Sequence, residues 1–135
     1  NLFDILKNKK VIIFTVPGAF TPTCSDEHLP DYIKLAISIK EKGIDEIYCL
    51  SVNDPFVMRS WLLNYKDHHN IVGIADGNGE ITKILNLLSD KSSGFMGLRC
   101  KRSAMIIKNN HIIDIFIEEP GEINISSAKN ILSKL

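Results

Sequence analysis

Two nearly continuous apolar runs, KVIIFTV at residues 10–16 and EIYCLSV at residues 46–52, constrain the fold of this chain more than any other feature. Short runs of this kind are typical of β-strands that are buried on both faces. Between them, apolar side chains recur at helical spacing over residues 25–42. Pro30 interrupts this helix, and because proline removes one hydrogen bond and clashes with the preceding turn, we expect a kink or bulge near residues 28–31.

Shorter elements complete the predicted order. Asp54 and Pro55 form an N-cap followed by a first helical proline, which predicts a helix to about residue 66. The other predicted elements are a strand IVGIAD at 71–76, a turn at 76–79, a short amphipathic helix over 81–88, a loop at 89–98, a hairpin of SAMIIK and HIIDIFIE around 109–110, and a final helix at 126–135. This order predicts an α/β chain with a thioredoxin-like fold, in which helices cover both faces of a mixed central β-sheet.

The composition limits the possible partners. The chain has 135 residues, 44% of them hydrophobic, which is enough for one domain with one core. Sixteen basic and sixteen acidic residues give a formal net charge of zero, which argues against nucleic acid and anionic membranes as partners. The longest apolar segments are strand-sized, far below the roughly 20 residues that a membrane-spanning helix needs.

The cysteine content suggests the redox environment. Three cysteines without a C-x-x-C pair argue against a disulfide scaffold and against a dithiol motif. We therefore expect a reducing intracellular compartment, either the cytoplasm or an organelle. The opening residues, Asn1 to Asp4, lack the layout of a signal peptide, and we expect any native targeting segment to lie outside this sequence.

The segment VPGAFTPTCS, residues 16–25, places Cys24 in the first turn of the first helix. The free N–H groups and the positive dipole end of a helix N-terminus favour an anion, and such a site lowers a thiol pKa from about 8.5 into a range of roughly 3.5–7.5. A buried and unreactive cysteine is the alternative, but it suits an apolar strand better. Because residues 25–27 next to Cys24 are polar, we interpret it as a reactive thiolate.

Other chemistries have weaker support. Cys24 and His28 are four residues apart on one helical face. This spacing would suit half of a zinc site or a nucleophile–base pair. The alternative is that His28 is an ordinary polar residue of the helix. No second ligand pair has suitable spacing, so neither a metal nor a cofactor is predicted. A cysteine phosphatase needs a Cys-x5-Arg motif, but Pro30 stands at the arginine position. Residues 77–79 lack the lysine of a phosphate-binding loop and indicate a turn.

Longer strings carry a family resemblance. The spacing Pro17-x-x-x-Thr21-x-x-Cys24, together with VPGAFTPTCSDEHLP, CLSVNDPFVMRSW and KRSAM, resembles the type-5 peroxiredoxins. The similarity runs from the first residues to the last helix. It implies that Cys24 is the peroxidatic nucleophile, that Thr21 orients the peroxide and that Pro17 shields the site.

The resemblance also implies a third catalytic residue and a reaction. The arginine that the family uses before a late strand corresponds to Arg102 rather than to Arg99, although relatives commonly have an aromatic residue where this chain has Ser103. A thiolate attacks one peroxide oxygen, which leaves a sulfenic acid and releases water or an alcohol. The expected substrates are hydrogen peroxide and alkyl hydroperoxides, and Arg102 is expected to stabilise both the thiolate and the bound peroxide.

The expected reductant follows from what the C-terminal region lacks. Many type-5 relatives place a resolving cysteine shortly before the final helix, where this chain reads GEINISSAKN. We therefore expect a one-cysteine enzyme that is reduced by an external thiol, namely glutathione, glutaredoxin or thioredoxin. Cys49, within an apolar strand, is expected to be inert. Cys100 is either a bystander at the end of a loop or lies at the rim of the site.

Two expectations concern the assembly and the extent of the domain. Type-5 relatives form homodimers through loops around the active site, and Phe95 and Met96 are the candidate apolar anchors here. The family usually begins with an additional strand pair, so we expect residues 1–135 to be a single domain that is truncated at its N-terminus. The competing function class is a thioredoxin-like binding module whose cysteine does not turn over.

Overall fold

The computed structural model describes residues 1–135. Its strands are β1 (Lys10–Thr15), β2 (Glu46–Ser51), β3 (Val72–Ala75), β4 (Leu88–Asp90), β5 (Leu98–Cys100), β6 (Ser103–Lys108) and β7 (His111–Ile117). Its α-helices are α1 (Leu2–Leu6), α2 (Leu29–Glu41), α3 (Pro55–Leu63), α4 (Glu80–Ile84) and α5 (Ala128–Lys134). A π-helix, Cys24–His28, leads directly into α2. Five strands form one mixed sheet in the order β3-β2-β1-β6-β7, and β4 pairs with β5 in a separate small sheet.

Strand β1 lies at the centre of the large sheet. It pairs in parallel with β2 and antiparallel with β6, so both of its edges carry hydrogen bonds. Its side chains alternate between the two faces: Ile12 and Phe14 pack into one core, and Val11 and Ile13 pack into the other. This double burial is the reason why the first run is apolar at successive positions.

Helices cover both faces of the sheet, which confirms the predicted fold class. The larger core includes Tyr32 of α2, Trp61 of α3 and Ile131 of α5. The smaller core, on the opposite face, includes Leu6 of α1 and borders Ile81 of α4. None of these helices has the length and apolar character that crossing a bilayer requires.

The predicted helix bulge is present, one turn earlier than expected. Pro30 occupies the first turn of α2, where its missing N–H costs no helical hydrogen bond. The preceding turn widens into the π-helix, in which the N–H of Leu29 donates to the carbonyl of Cys24. The bulge therefore includes Cys24 and His28.

Two regions differ from the sequence-based expectations. The helix that begins at Pro55 ends at Leu63 rather than near residue 66. Residues 88–90 and 98–100, expected as the end of a helix and a loop, form the antiparallel pair β4-β5. The chain reverses between these strands through Phe95 and Gly97, which both have positive φ angles. Strands of three residues are too short to show an alternating pattern, so no sequence pattern predicted them.

Candidate active site

Cys24 lies where the loop after β1 enters the π-helix. Its side chain is 1% exposed and belongs to the larger core, while the following residues 25–27 remain accessible. The loop before it is held by the amide of Ala19, which donates to Asn53 Oδ1 at 3.0 Å. The thiol is therefore fixed at a helix N-terminus, as predicted, but it is more deeply buried than its polar sequence neighbours indicated.

Arg102 contacts the sulfur directly. Its Nη2 atom donates to Cys24 Sγ at 3.0 Å, and its Nη1 atom lies 2.8 Å from His28 Nδ1. Arg99 is engaged elsewhere, because its guanidinium group donates to the backbone carbonyls of Met96 at 2.9 Å and Val52 at 3.2 Å. The structure thus brings Arg102, and not Arg99, to Cys24.

His28 is the acceptor that fixes the second arm of this guanidinium. Since Arg102 can only donate, Nδ1 of His28 must accept, which leaves Nε2 to carry the proton and donate to the carbonyl of Ser126 at 3.0 Å. Burial first, and then the charge of Arg102, lower the pKa of His28 from 6.5 to about 3. The ring packs against Phe14 and Tyr32, with centroid distances of 5.1 and 5.4 Å. His28 is therefore a neutral, rigidly held positioning residue.

The loop after β7 supplies the other end of this network. The Tyr32 hydroxyl also donates to the Ser126 carbonyl, at 2.7 Å. The carboxylate of Glu118 accepts from the amides of Asn124 at 2.5 Å and Ser126 at 2.9 Å, and from the Ser126 hydroxyl at 2.7 Å. Burial raises the pKa of Glu118, but these hydrogen bonds outweigh it and leave the pKa below its usual value. The amide of Glu118 donates to the Arg102 carbonyl at 2.9 Å, which ties the loop to the site.

Thr21 and Pro17 lie in the loop that leads from β1 to Cys24. The Thr21 hydroxyl donates to the Gly18 carbonyl at 2.6 Å, so its oxygen lone pairs remain free to accept a further hydrogen bond. Pro17 and Arg102 line an open groove of about 580 Å³ beside Cys24. The structure therefore brings Arg102 to Cys24 and Pro17 to the same groove as Arg102, and it places Thr21 in the loop between Pro17 and Cys24.

The other two cysteines are buried away from solvent. Cys49 on β2 is fully buried in the larger core, and burial raises the pKa of its thiol. Cys100 is not the loop-end residue that was one of the two expectations: it lies in β5, fully buried in the smaller core, where burial also raises its pKa. All three cysteines are free thiols.

The paired roles considered for Cys24 and His28 do not occur. The Arg102 guanidinium donates to both side chains, so His28 Nδ1 has no free lone pair with which to act as base or zinc ligand. No group of three His, Cys, Asp or Glu side chains is arranged to hold a metal ion. Sequence reasoning left His28 undecided, because contacts between residues 74 and 98 positions apart have no local signature. It also missed Glu118, whose carboxylate binds the loop amides six and eight residues later in the chain.

Comparison with known proteins gives concordant matches over the whole chain. The Redoxin family profile matches residues 1–132. The chain is 45% identical over 135 residues to Peroxiredoxin-2D of Arabidopsis thaliana, covering 100% of this chain and 83% of the relative. Reduced Prx3 from Vibrio vulnificus superposes with a TM-score of 0.95 at 44% identity, covering 98% of this chain and 84% of that one. The Plasmodium falciparum antioxidant protein, described as a 1-Cys peroxiredoxin, superposes with a TM-score of 0.90 at 36% identity over 96% and 80% of the two chains.

Acid should destabilise the fold through His28 and Glu118. Both have a lowered pKa in the folded state, so the unfolded chain binds more protons, and the free energy of unfolding should fall as the pH drops from about 6.5 towards 3. We expect the urea midpoint to be lower at pH 5 than at pH 7. His28→Gln, which removes one of the two groups, should show a shallower fall between the same two pH values.

His111→Gln provides the matched control, since His111 is exposed at the start of β7. It should keep the pH dependence of the original protein. A pH dependence that is the same in the original protein and in His28→Gln would show that His28 does not contribute to it.

Proposed function

The chain belongs to the redoxin family as a peroxiredoxin, and from this premise we propose that Cys24 is the nucleophile of a thiol-dependent peroxidase that reduces hydrogen peroxide and alkyl hydroperoxides. The observation that carries the proposal is the 3.0 Å contact between Arg102 Nη2 and Cys24 Sγ at a helix N-terminus. Reactive cysteines lie in electropositive surroundings of the kind that a fixed guanidinium group provides. The proposed role is antioxidant defence and redox homeostasis.

In the proposed reaction the Cys24 thiolate attacks one peroxide oxygen, forming an S–O bond as the O–O bond breaks. The sulfur is oxidised by two electrons to the sulfenic acid, and the other oxygen leaves with the bonding pair and takes a proton to become water or an alcohol. We propose that Arg102 donates hydrogen bonds to the peroxide and that the Thr21 hydroxyl accepts one from it. His28 holds Arg102 in that orientation and, being neutral, does not repel it.

We propose that the sulfenic acid is reduced by a thiol from outside the chain. Cys49 and Cys100 are both fully buried, and no cysteine occurs after Cys100. An external thiol such as glutathione, glutaredoxin or thioredoxin would form a mixed disulfide with Cys24, and a second thiol would release it. The similarity to a protein described as a 1-Cys peroxiredoxin supports this cycle.

We also propose that the enzyme is a homodimer that associates through loops around the site. Phe20 and Phe95 have positive φ angles and are 53% and 98% exposed, which is unusual for large apolar side chains. Met96, the other anchor expected from the sequence, is only partly exposed, and its Cε atom lies next to Gly18. Phe20 and Phe95 are therefore the better candidates.

Cys24 should be the only cysteine that the cycle needs. The protein, treated with one equivalent of hydrogen peroxide and then glutathione, should gain one reversible glutathione adduct on Cys24 in intact mass spectrometry. Cys24→Ser should gain none and consume no peroxide, whereas Cys49→Ser and Cys100→Ser should behave as the original protein, because both thiols are buried.

A loss of two hydrogens after peroxide alone, with peptide mapping that joins Cys24 to Cys100, would contradict the one-cysteine cycle. No peroxide consumption by the original protein with any of the three reductants would instead favour the binding-module interpretation.

Arg102→Met should slow the oxidation of Cys24 by about a hundredfold or more, since removal of a positioned donor from a site of developing charge has an effect of this size. The second-order rate constant can be followed through Trp61, the only tryptophan, whose Nε1 donates to Ser25 Oγ at 2.9 Å next to Cys24. Arg59→Met, on the exposed face of α3, is the matched control and should react as the original protein. An unchanged rate in Arg102→Met would exclude Arg102 from the reaction.

Phe95→Ser should weaken the dimer. In sedimentation velocity at micromolar concentration the original protein should sediment as a dimer, and Phe95→Ser should shift towards the monomer because it removes the most exposed apolar side chain. Ile84→Ser, at an 82% exposed position on α4, should leave the distribution unchanged. A monomeric original protein would refute the proposed dimer.

A further inference from the structure

We propose that Glu118 is a positioning residue for the reaction at Cys24 and that it acts by fixing the tautomer of His28. The inference rests on the proposed function and adds a residue that does not touch the sulfur. A chain of hydrogen bonds joins Glu118 to the site. Its carboxylate binds the loop after β7, a carbonyl of that loop binds His28, and His28 binds Arg102, which contacts Cys24 Sγ.

The carboxylate of Glu118 is used entirely within the chain. The side chain is buried, with a relative exposure of 7%, and its Oε2 atom accepts from the amides of Asn124 and Ser126 and from the Ser126 hydroxyl. Residues 118–127 form neither helix nor strand, so no ladder of backbone hydrogen bonds holds this loop. Hydrogen bonds to a carboxylate are roughly twice as strong as those between neutral groups. The position of the Ser126 backbone therefore depends on Glu118.

The Ser126 carbonyl in turn permits only one tautomer of His28. It accepts from His28 Nε2 at 3.0 Å and from the Tyr32 hydroxyl at 2.7 Å, so both of its lone pairs are engaged. A proton on Nδ1 would instead face the Nη1–H of Arg102 across 2.8 Å, and the Nε2 lone pair would face the carbonyl oxygen. Because His28 is fully buried, solvent cannot supply another partner for either nitrogen.

Glu118 also holds the backbone of the arginine. Its amide donates to the Arg102 carbonyl at 2.9 Å, directly beside the pairing of Ser103 with Ile117 between β6 and β7. One residue thus fixes both the backbone of Arg102 and the loop that orients its guanidinium group. A change of the Glu118 side chain leaves the amide in place, so it tests the route through His28 alone.

The first test is the rate at which hydrogen peroxide oxidises Cys24, followed through Trp61 fluorescence. Glu118→Ala should slow this step about tenfold, since a small misplacement of a positioned group can cost up to about a hundredfold. Glu118→Gln should be about two- to fivefold slower than the original protein, because a neutral oxygen accepts weaker hydrogen bonds than a carboxylate. Glu119→Ala, which removes the same charge from the exposed neighbouring residue, should keep the original rate.

Two further measurements distinguish positioning from a general loss of structure. Nitrogen-15 NMR reports the tautomer of His28, whose signals are identified by their absence from His28→Gln. Nε2 should carry the proton in the original protein, and in Glu118→Ala both ring nitrogens should shift towards a mixture of the two tautomers. In an Arg102→Met background, Glu118→Ala should cause no further loss of rate, because Glu118 acts only through Arg102.

Three results would each overturn the proposal: the original rate in both Glu118 variants, an unchanged His28 tautomer in Glu118→Ala, or an undiminished effect of Glu118→Ala in the Arg102→Met background. If Glu118→Ala does not fold, Glu118→Gln decides alone, and the original rate in that variant overturns the proposal. If hydrogen peroxide does not oxidise Cys24 in the original protein, the proposed function is wrong, and the NMR measurement still tests the link between Glu118 and His28.

Discussion

The guanidinium group of Arg102 is the constraint on which the rest of the site depends. It donates one hydrogen bond to Cys24 Sγ and another to His28 Nδ1, so the positions of all three side chains are mutually fixed. The arginine immediately precedes β6, and the other two residues are the first and last positions of the π-helix. Antiparallel pairing of β6 with β1 brings these two segments together, and this is why a mixed sheet suits the site.

The π-helix and the buried histidine are linked. A helix widened over Cys24–His28 precedes Pro30, and both ends of that widened turn point to Arg102. A neutral histidine at this position accepts a hydrogen bond from Arg102 and adds no second positive charge beside the sulfur. The burial that lowers the pKa of His28 also lowers the free energy of unfolding in mild acid, because the folded chain does not take up the proton that the unfolded chain binds.

The sequence was sufficient for the features with local signatures. The buried strands, the hairpin and the helix caps follow from apolar runs and turn residues, and Pro17, Thr21 and Cys24 share one short motif. Arg102 required the family resemblance, since Arg99 has the same residue type and similar spacing. The roles of His28 and Glu118 could not be predicted, because each depends on contacts that only the folded chain creates, and β4 and β5 are too short to leave a pattern.

The burial of the three cysteines explains why both the peroxide and the reducing thiol would react at Cys24. Cys49 and Cys100 lie in the two cores on opposite faces of the sheet, so neither can reach solvent without local unfolding. Cys24 is also buried, but it lies under a helix N-terminus at the edge of an open groove rather than between strands. A peroxide needs only a small opening beside Arg102. A reducing thiol must bring its own sulfur into line with Cys24, and the groove lined by Pro17, Thr23 and Arg102 is the open surface next to it.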